Sequence, residues 1–191
     1  MNIKRNIYMS AVLAVAALTA SCAGFSAYKY RQFYAMVSPV KSFDRHYEDG
    51  AVAFQFEISE KKINVRIENN GGEPIEVQWQ NARFVDQDGT KHDIANSQTV
   101  LTKDSARIKP TTIQAGATEE NVVVPVDHQE QLEQWTWYIK PFFNQTDDGA
   151  LSNLGKTFGI NIPLKVGAEE RRYSFEFKVT NVVPYTARTP G

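Results

Sequence analysis

Apolar and polar residues alternate along much of the chain after residue 50. Three segments show this most clearly, with apolar residues at every second position: Val52, Phe54, Phe56 and Ile58; Ile63, Val65 and Ile67; and Tyr173, Phe175, Phe177 and Val179. Because successive side chains of a strand point to opposite faces, this spacing predicts strands with one buried face. Turn-forming residues separate such segments, as in the run of Asn and Gly at residues 69–72.

About nine such segments, with little helix between them, predict an all-β protein. Short, half-buried strands at regular spacing favour an antiparallel sandwich or an antiparallel barrel. The arrangement we expect is an immunoglobulin-like β-sandwich. We assign this domain to residues 51–183 and a C-terminal tail to residues 184–191.

Two segments do not fit the alternation. Residues 25–37 carry aromatic and apolar side chains at a spacing close to one helical face, beside Lys29 and Arg31. They are expected either to form a helix on a membrane surface or to begin the domain and pack on its sheet, and the sequence leaves both open. Residues 127–134 contain good helix formers and predict one or two helical turns.

The start of the chain has the three-part pattern of an export signal. Lys4 and Arg5 precede an apolar run at residues 11–18, and small residues follow it. The run is far shorter than the roughly 20 residues that cross a bilayer, so no permanent transmembrane helix is expected. We assign residues 1–21 to a signal peptide and residues 22–50 to a lipid anchor and tether.

The small residues end in a cysteine. The segment Thr19-Ala20-Ser21-Cys22 resembles the lipobox of bacterial lipoproteins, although Thr19 stands where that motif usually has Leu. The resemblance implies that the Cys22 thiol receives a diacylglycerol group, that the mature N-terminus carries acyl chains such as palmitate, and that the protein lies in the cell envelope. Because Ala23 follows the cysteine, it also implies the outer membrane, facing the periplasm, in a Gram-negative cell. The alternative is an ordinary secretory signal cut after Ala23, which would discard Cys22.

The later strands add a second resemblance. Residues 65–69, 75–79, 86–92, 113–116 and 137–143 are similar to segments of a group of single-domain β-sandwich lipoproteins from bacteria. The resemblance covers roughly residues 50–180 and consists of strand and turn features. It implies the fold and no particular activity.

Composition limits the function. With 21 basic and 22 acidic residues the net charge is −1, which argues against a nucleic-acid partner. One cysteine excludes an intrachain disulfide framework and a Cys-rich metal site. The acidic residues around His92 fit a hairpin turn better than a calcium loop, and the three histidines have no metal-ligand spacing. We therefore expect no metal, no cofactor and no enzymatic activity.

The aromatic residues supply the remaining candidates. Trp137, Phe142 and Phe143 lie in the most aromatic segment, next to a polar loop at residues 144–157, and we predict a partner-binding surface there. The leading hypothesis is a lipid-anchored envelope protein that binds an envelope protein or supports an envelope assembly. One alternative is a small-molecule or glycan binder that uses the long polar loops and the Trp-rich segment. Another is a hydrolase whose histidines and carboxylates converge only in the fold.

Overall fold

A computed structural model describes residues 28–102, 107–134 and 136–184. Within these ranges the chain forms thirteen strands: β1 (Tyr30–Ser38), β2 (His46–Glu48), β3 (Val52–Ile58), β4 (Ile63–Asn69), β5 (Ile75–Val77), β6 (Arg83–Val85), β7 (Lys91–Ala95), β8 (Thr111–Ile113), β9 (Thr118–Pro125), β10 (Gln129–Glu133), β11 (Thr136–Ile139), β12 (Thr157–Val166) and β13 (Glu169–Pro184). Every pair formed by these strands is antiparallel. The prediction of an all-β antiparallel chain is confirmed, whereas the immunoglobulin-like arrangement stays a prediction.

The main sheet folds back on itself around one core. Its strand order is β1-β13-β12-β6-β7-β9-β4-β3-β2, with β5 joined to β12 and β8, and β10 and β11 form a separate hairpin. Phe54 of β3 lies 4.9 Å from Phe175 of β13 between ring centroids, and Phe56 lies 5.1 Å from Phe177. Strands far apart in the order therefore face each other across the aromatic core.

The alternation in the sequence places the core side chains. Phe54 and Phe56 on β3 are buried, and so are the three apolar residues of β4 and the four of β13. Trp79 is also fully buried but lies in a single 3-10 turn after β5, where its ring nitrogen donates a hydrogen bond to the Thr111 hydroxyl at 3.1 Å. A buried indole N–H needs such a partner, which fixes the orientation of the ring.

The segment assigned to the tether contains two strands of the main sheet. Tyr30–Ser38 is β1, which pairs with β13 from Tyr30 opposite Pro184 to Ser38 opposite Glu176. The helical expectation is wrong for this stretch, because the edge of β13 supplies its hydrogen bonds and Tyr34 and Met36 fill the core. The other possibility, that these residues begin the domain, is the one observed. Residues 25–27 lie outside the described ranges, as do Cys22, the signal peptide and residues 185–191.

Residues 127–134 are helical only at their start. Val126–His128 is one 3-10 turn, and Gln129–Glu133 then forms β10 against β11. The intrinsic helix preference of Gln, Glu and Leu is small, and pairing with β11 overrides it. A longer 3-10 helix, Asp148–Asn153, lies in the predicted polar loop and buries Ala150 and Asn153. Within the described ranges, no helix is long and apolar enough to span a bilayer.

Candidate interaction surface

The most exposed large apolar side chain in the described residues is Phe43, on the connection between β1 and β2. Its side chain is 86% exposed, whereas the other exposed large apolar residues, Val40 on the same connection among them, reach at most 59%. We call residues 39–45 the Phe43 corner. Exposed aromatics of this kind are enriched where proteins meet partners.

The backbone of the Phe43 corner is held by hydrogen bonds on both sides. Met36 and Ser42 exchange backbone hydrogen bonds at 2.9 and 3.0 Å. The backbone N–H of His46 donates to the Ser42 hydroxyl at 3.0 Å, and that hydroxyl donates to the Asp44 carboxylate. The hydrogen bond from Ser42 also holds the pKa of Asp44 below its usual value. The corner is thus an ordered turn.

Arg45 links the Phe43 corner to strands β1 and β3 of the main sheet. Its guanidinium donates to the carbonyl of Tyr34 on β1, to that of Phe56 on β3 and to that of Phe43, each at 3.0 Å. Strands β1 and β3 do not pair with each other in the sheet. The Arg45 side chain therefore connects two strands that have no backbone hydrogen bonds to each other. A preordered backbone loses little conformational entropy on binding, which favours Phe43 as a binding residue.

The structure places the aromatic residues proposed from sequence differently. Phe143 is 5% exposed and meets Phe158 edge-on at 5.9 Å, so it belongs to the core. Phe142 is half-buried and stacks on Phe84 at 5.1 Å. Phe143 is therefore not available for an exposed contact surface, because the chain after β11 folds back onto the ring of Phe158. Partner binding by Phe142 stays a prediction, with most of its ring turned toward the core.

Trp137 is half-buried on β11, and its neighbour Tyr138 on the opposite face is exposed. Its role in partner binding also stays a prediction. Phe43 was not predicted as a binding residue, because it lies in residues 22–50, the segment assigned to the anchor and tether. The one signal for it is a single aromatic residue among polar and charged residues, with no apolar partner at strand spacing.

His92 is the centre of a charged cluster that the sequence does not show. Its Nδ1 lies 2.8 Å from the Asp127 carboxylate and its Nε2 lies 3.0 Å from the Asp86 carboxylate. Asp86 also accepts hydrogen bonds from the backbone N–H groups of Asp88 and Thr90, at 2.9 and 2.8 Å. The acidic segment is therefore a turn, as expected, that His92 joins to the 3-10 turn at Val126–His128.

Histidines and carboxylates, which the hydrolase hypothesis requires to converge in the fold, do meet in this cluster. Both ring nitrogens of His92 contact carboxylates. The ring of His128 lies 6.4 Å from that of His92, so two of the three histidines do converge. No group of three or more metal-binding side chains in the described ranges is arranged to hold an ion.

The pKa values of His92 and His128 are shifted in opposite directions. Burial acts to lower the pKa of His92, but hydrogen bonds and charges from Asp86 and Asp127 outweigh it and raise the pKa above the usual value. Burial lowers the pKa of His128, and the nearby charge of His92 adds to that effect. Burial likewise acts to raise the pKa of Asp86, but hydrogen bonds from His92 and from two backbone N–H groups lower it overall. The ionised pair of His92 and Asp86 is thus favoured.

We expect His92→Gln to destabilise the protein more at acidic than at alkaline pH. A raised folded-state pKa means that ionised His92 contributes stability below its unfolded pKa of about 6.5 and loses that contribution as the pH rises through the folded value. The loss near pH 6 should be about 1.5–3 kcal/mol, the range for hydrogen bonds to charged groups. Urea unfolding of both proteins at several pH values measures the difference.

His128 titrates in the opposite sense, so the control for that experiment is His128→Gln. The lowered pKa of His128 makes its contribution largest above the unfolded value, and the contribution falls as the pH drops through that value. A destabilisation by His92→Gln that is equal at about pH 6 and about pH 9 would contradict the ionised pair.

Two open grooves lie on outer faces of the sheet. One of about 610 Å³ is lined by Arg83, Lys91 and Arg172 among other residues of β6, β7, β12 and β13. The other, of about 480 Å³, lies across β3, β4 and β9 around Arg66. Neither of these two is lined by an aromatic ring, but a groove of about 370 Å³ is lined in part by Phe33 and Tyr34, and one of about 340 Å³ in part by Phe158 and Phe175. The small-molecule or glycan hypothesis, which expects aromatic residues at its site, therefore stays a prediction.

Comparisons with known proteins do not assign the chain to a family. No family model matches it, and no curated protein matches its sequence. Among solved structures, a candidate lipoprotein (ycdA) from Bacillus subtilis aligns with a TM-score of 0.41 and 15% identity, over 71% of this chain and 39% of that one. The chain therefore spans well under half the length of that protein. The function is therefore inferred from the residues of this chain alone.

Proposed function

We propose that this chain is a lipid-anchored protein of the bacterial cell envelope whose β domain binds a protein partner through the Phe43 corner, without catalysing a reaction. The anchor is supported by the export signal and by Cys22 after small residues. Binding is supported above all by one observation, an 86% exposed phenylalanine on a turn fixed by hydrogen bonds. The engagement of both nitrogens of His92 supports a non-catalytic role.

The position of the Phe43 corner suits this role. The described chain enters β1 at Tyr30 and reaches the corner after Ser38. Nine residues of strand place these two ends about 26 Å apart. The corner therefore lies at the end of β1 opposite to the end at which the described chain begins, which leaves Phe43 open to a partner.

Replacing Phe43 by Ala should remove the partner from the protein. A photoreactive crosslinker in intact cells, followed by capture of the tagged full chain, identifies what is bound. The matched control is Phe33→Ala, because Phe33 is a 45% exposed phenylalanine on β1 itself. We expect the same crosslinked protein with the wild type and Phe33→Ala, and a loss of roughly 30-fold or more with Phe43→Ala, as for an interface hot spot of about 2 kcal/mol. Equal recovery with all three would contradict the proposed surface.

Replacing Cys22 by Ser should abolish the anchor. The hydroxyl cannot form the thioether to diacylglycerol that the lipobox resemblance implies, so the protein should lose its acyl mass and leave the membrane fraction. Intact-mass spectrometry and fractionation of cells measure the two effects separately. A variant that stays in the membrane with an unchanged acyl mass would show that Cys22 is not the lipidated residue. Separation of the inner and outer membranes then locates the wild type.

A further inference from the structure

The end of the domain at which the described chain begins carries leucine, tyrosine and lysine side chains. We call this end the entry face and define it by Tyr28, Lys61, Tyr138, Leu151 and Leu154. We propose that the entry face docks on the lipid bilayer itself and places Leu151 and Leu154 among the lipid headgroups. The proposal rests on the proposed lipid anchor at Cys22 and goes beyond it, because an anchor alone allows the domain to hang free of the membrane.

The length of the tether brings the entry face close to the membrane. Six peptide steps separate Cys22 from Tyr28, the first described residue. Even fully extended, they span only about 20 Å. The headgroup region itself extends several ångströms beyond the hydrocarbon core on each side of a bilayer. The first residues of the domain are thus confined to the immediate neighbourhood of the headgroups.

Hydrogen bonds tie the 3-10 helix Asp148–Asn153 to the point of chain entry. The backbone N–H groups of Lys29 and Tyr30 donate to the carbonyl of Gln145 at 2.9 and 3.3 Å. The Tyr30 hydroxyl donates to Asp148 at 3.0 Å, and the Lys29 ammonium lies 3.5 Å from the same carboxylate. This short helix therefore sits at the end of the domain that the tether holds nearest to the membrane.

The same helix exposes two leucines at that end. Its inward residues Ala150 and Asn153 are buried, whereas Leu151 is 51% exposed and Leu154, directly after the helix, is 59% exposed. Gly155 follows, and its N–H donates to the carbonyl of Val179 on β13 at 2.9 Å, which fixes the leucines against the sheet. Two exposed leucines on an ordered support cost free energy in water and gain it in a lipid environment.

An aromatic and cationic cluster surrounds Tyr28, the first described residue. The Lys61 ammonium lies 5.6 Å from the ring of Tyr28 and 4.9 Å from the ring of Tyr138. The Phe142 N–H donates to the carbonyl of Glu60, which joins the β3–β4 turn to the chain just before Gln145. Tyrosine and lysine have apolar bodies and polar tips, the combination that settles at the membrane–water interface.

The sole cysteine of the chain makes docking directly measurable. Lipidation consumes the thiol of Cys22, so a cysteine introduced elsewhere is the one free thiol of the mature protein. We would attach a spin label to Leu154→Cys in the full lipidated protein, reconstituted in vesicles of phosphatidylethanolamine and phosphatidylglycerol. The control is Phe43→Cys, an exposed site at the other end of β1. Collision rates with oxygen, which concentrates in lipid, and with a water-soluble nickel chelate report the depth of each label.

We expect a label at position 154 to show a severalfold lower nickel collision rate and a higher oxygen collision rate than the label at position 43. A label at 154 that is as open to nickel as the label at 43, in protein whose acyl mass is confirmed, overturns docking and leaves the anchor standing. Protein without acyl mass overturns both proposals, since docking rests on the anchor. A repeat with Leu151→Cys guards against a local effect of one label, and both labels should show the same depth signature.

Discussion

Phe56→Ala is expected to cost about 3–5 kcal/mol of unfolding free energy, which is the range for truncating a buried phenylalanine. Phe56 is fully buried, and its ring centroid lies 4.7 Å from that of Phe175 and 5.1 Å from that of Phe177. Truncation removes apolar area and leaves a cavity between β3 and β13 that these strands cannot fill without losing their pairing. The loss is a large share of the 5–15 kcal/mol typical of a domain.

The matched control is Phe43→Ala, the same change at a side chain that is 86% exposed. We expect it to alter stability by no more than about 0.5 kcal/mol, the usual range for surface substitutions. Urea unfolding of the three proteins, followed by tryptophan fluorescence, measures both effects. Equal losses at the two positions would contradict the burial on which the binding proposal depends. A stable Phe43→Ala protein also ensures that a lost partner reflects lost contact rather than lost folding.

Arg45→Ala should be the second most damaging of the proposed changes, at about 2–3 kcal/mol. The substitution removes three hydrogen bonds to backbone carbonyls, on Tyr34, Phe43 and Phe56. Those carbonyls lose a charged donor at a place where a side chain joins β1 to β3. Because Arg45 holds the backbone of the Phe43 corner, the backbone amides of the corner should also exchange with solvent faster in Arg45→Ala than in the wild type.

Arg45→Lys distinguishes geometry from charge. Lysine keeps the positive charge but presents a single ammonium, which cannot donate in the fixed planar pattern of a guanidinium. We expect its stability and its hydrogen exchange at residues 39–46 to resemble those of Arg45→Ala more than those of the wild type. If lysine restores both, the charge alone stabilises the corner and the proposed geometric role is wrong.

The sequence predicts the parts of the fold in which local pattern and final environment agree. In β3, β4 and residues 173–179 of β13 every second residue is apolar, and all of these residues except the half-buried Ile58 are buried in the core. In β1 the spacing of aromatic residues also fits a helix, and the decision depends on the edge of β13, which lies at the other end of the chain. Long-range pairing of this kind is not encoded in a local window of residues. In β10 the partner is close instead: β11 follows directly in a hairpin, and pairing with it overrides the weak helix preference of the β10 residues.

Much less of the candidate surface was predictable. Phe142 and Phe143 are adjacent in an irregular segment, where no period tells which ring turns inward. The exposure of Phe43 depends on Arg45 and on the bridge between Met36 and Ser42, and none of these contacts has a sequence signature. The His92 cluster likewise joins Asp86 and Asp127 across two separate turns. The sequence does not show that these three residues are close, because they meet only in the folded chain.

The pairing of β1 with β13 has a consequence for the order of events in the life of the chain. These are the first and last strands of the described domain, so the sheet cannot be completed until the whole domain has been synthesised. Pairing between such distant segments also closes a very long loop, which slows folding. If the chain is exported, as the pattern of its first residues predicts, slow closure of the sheet favours translocation of the polypeptide before it folds.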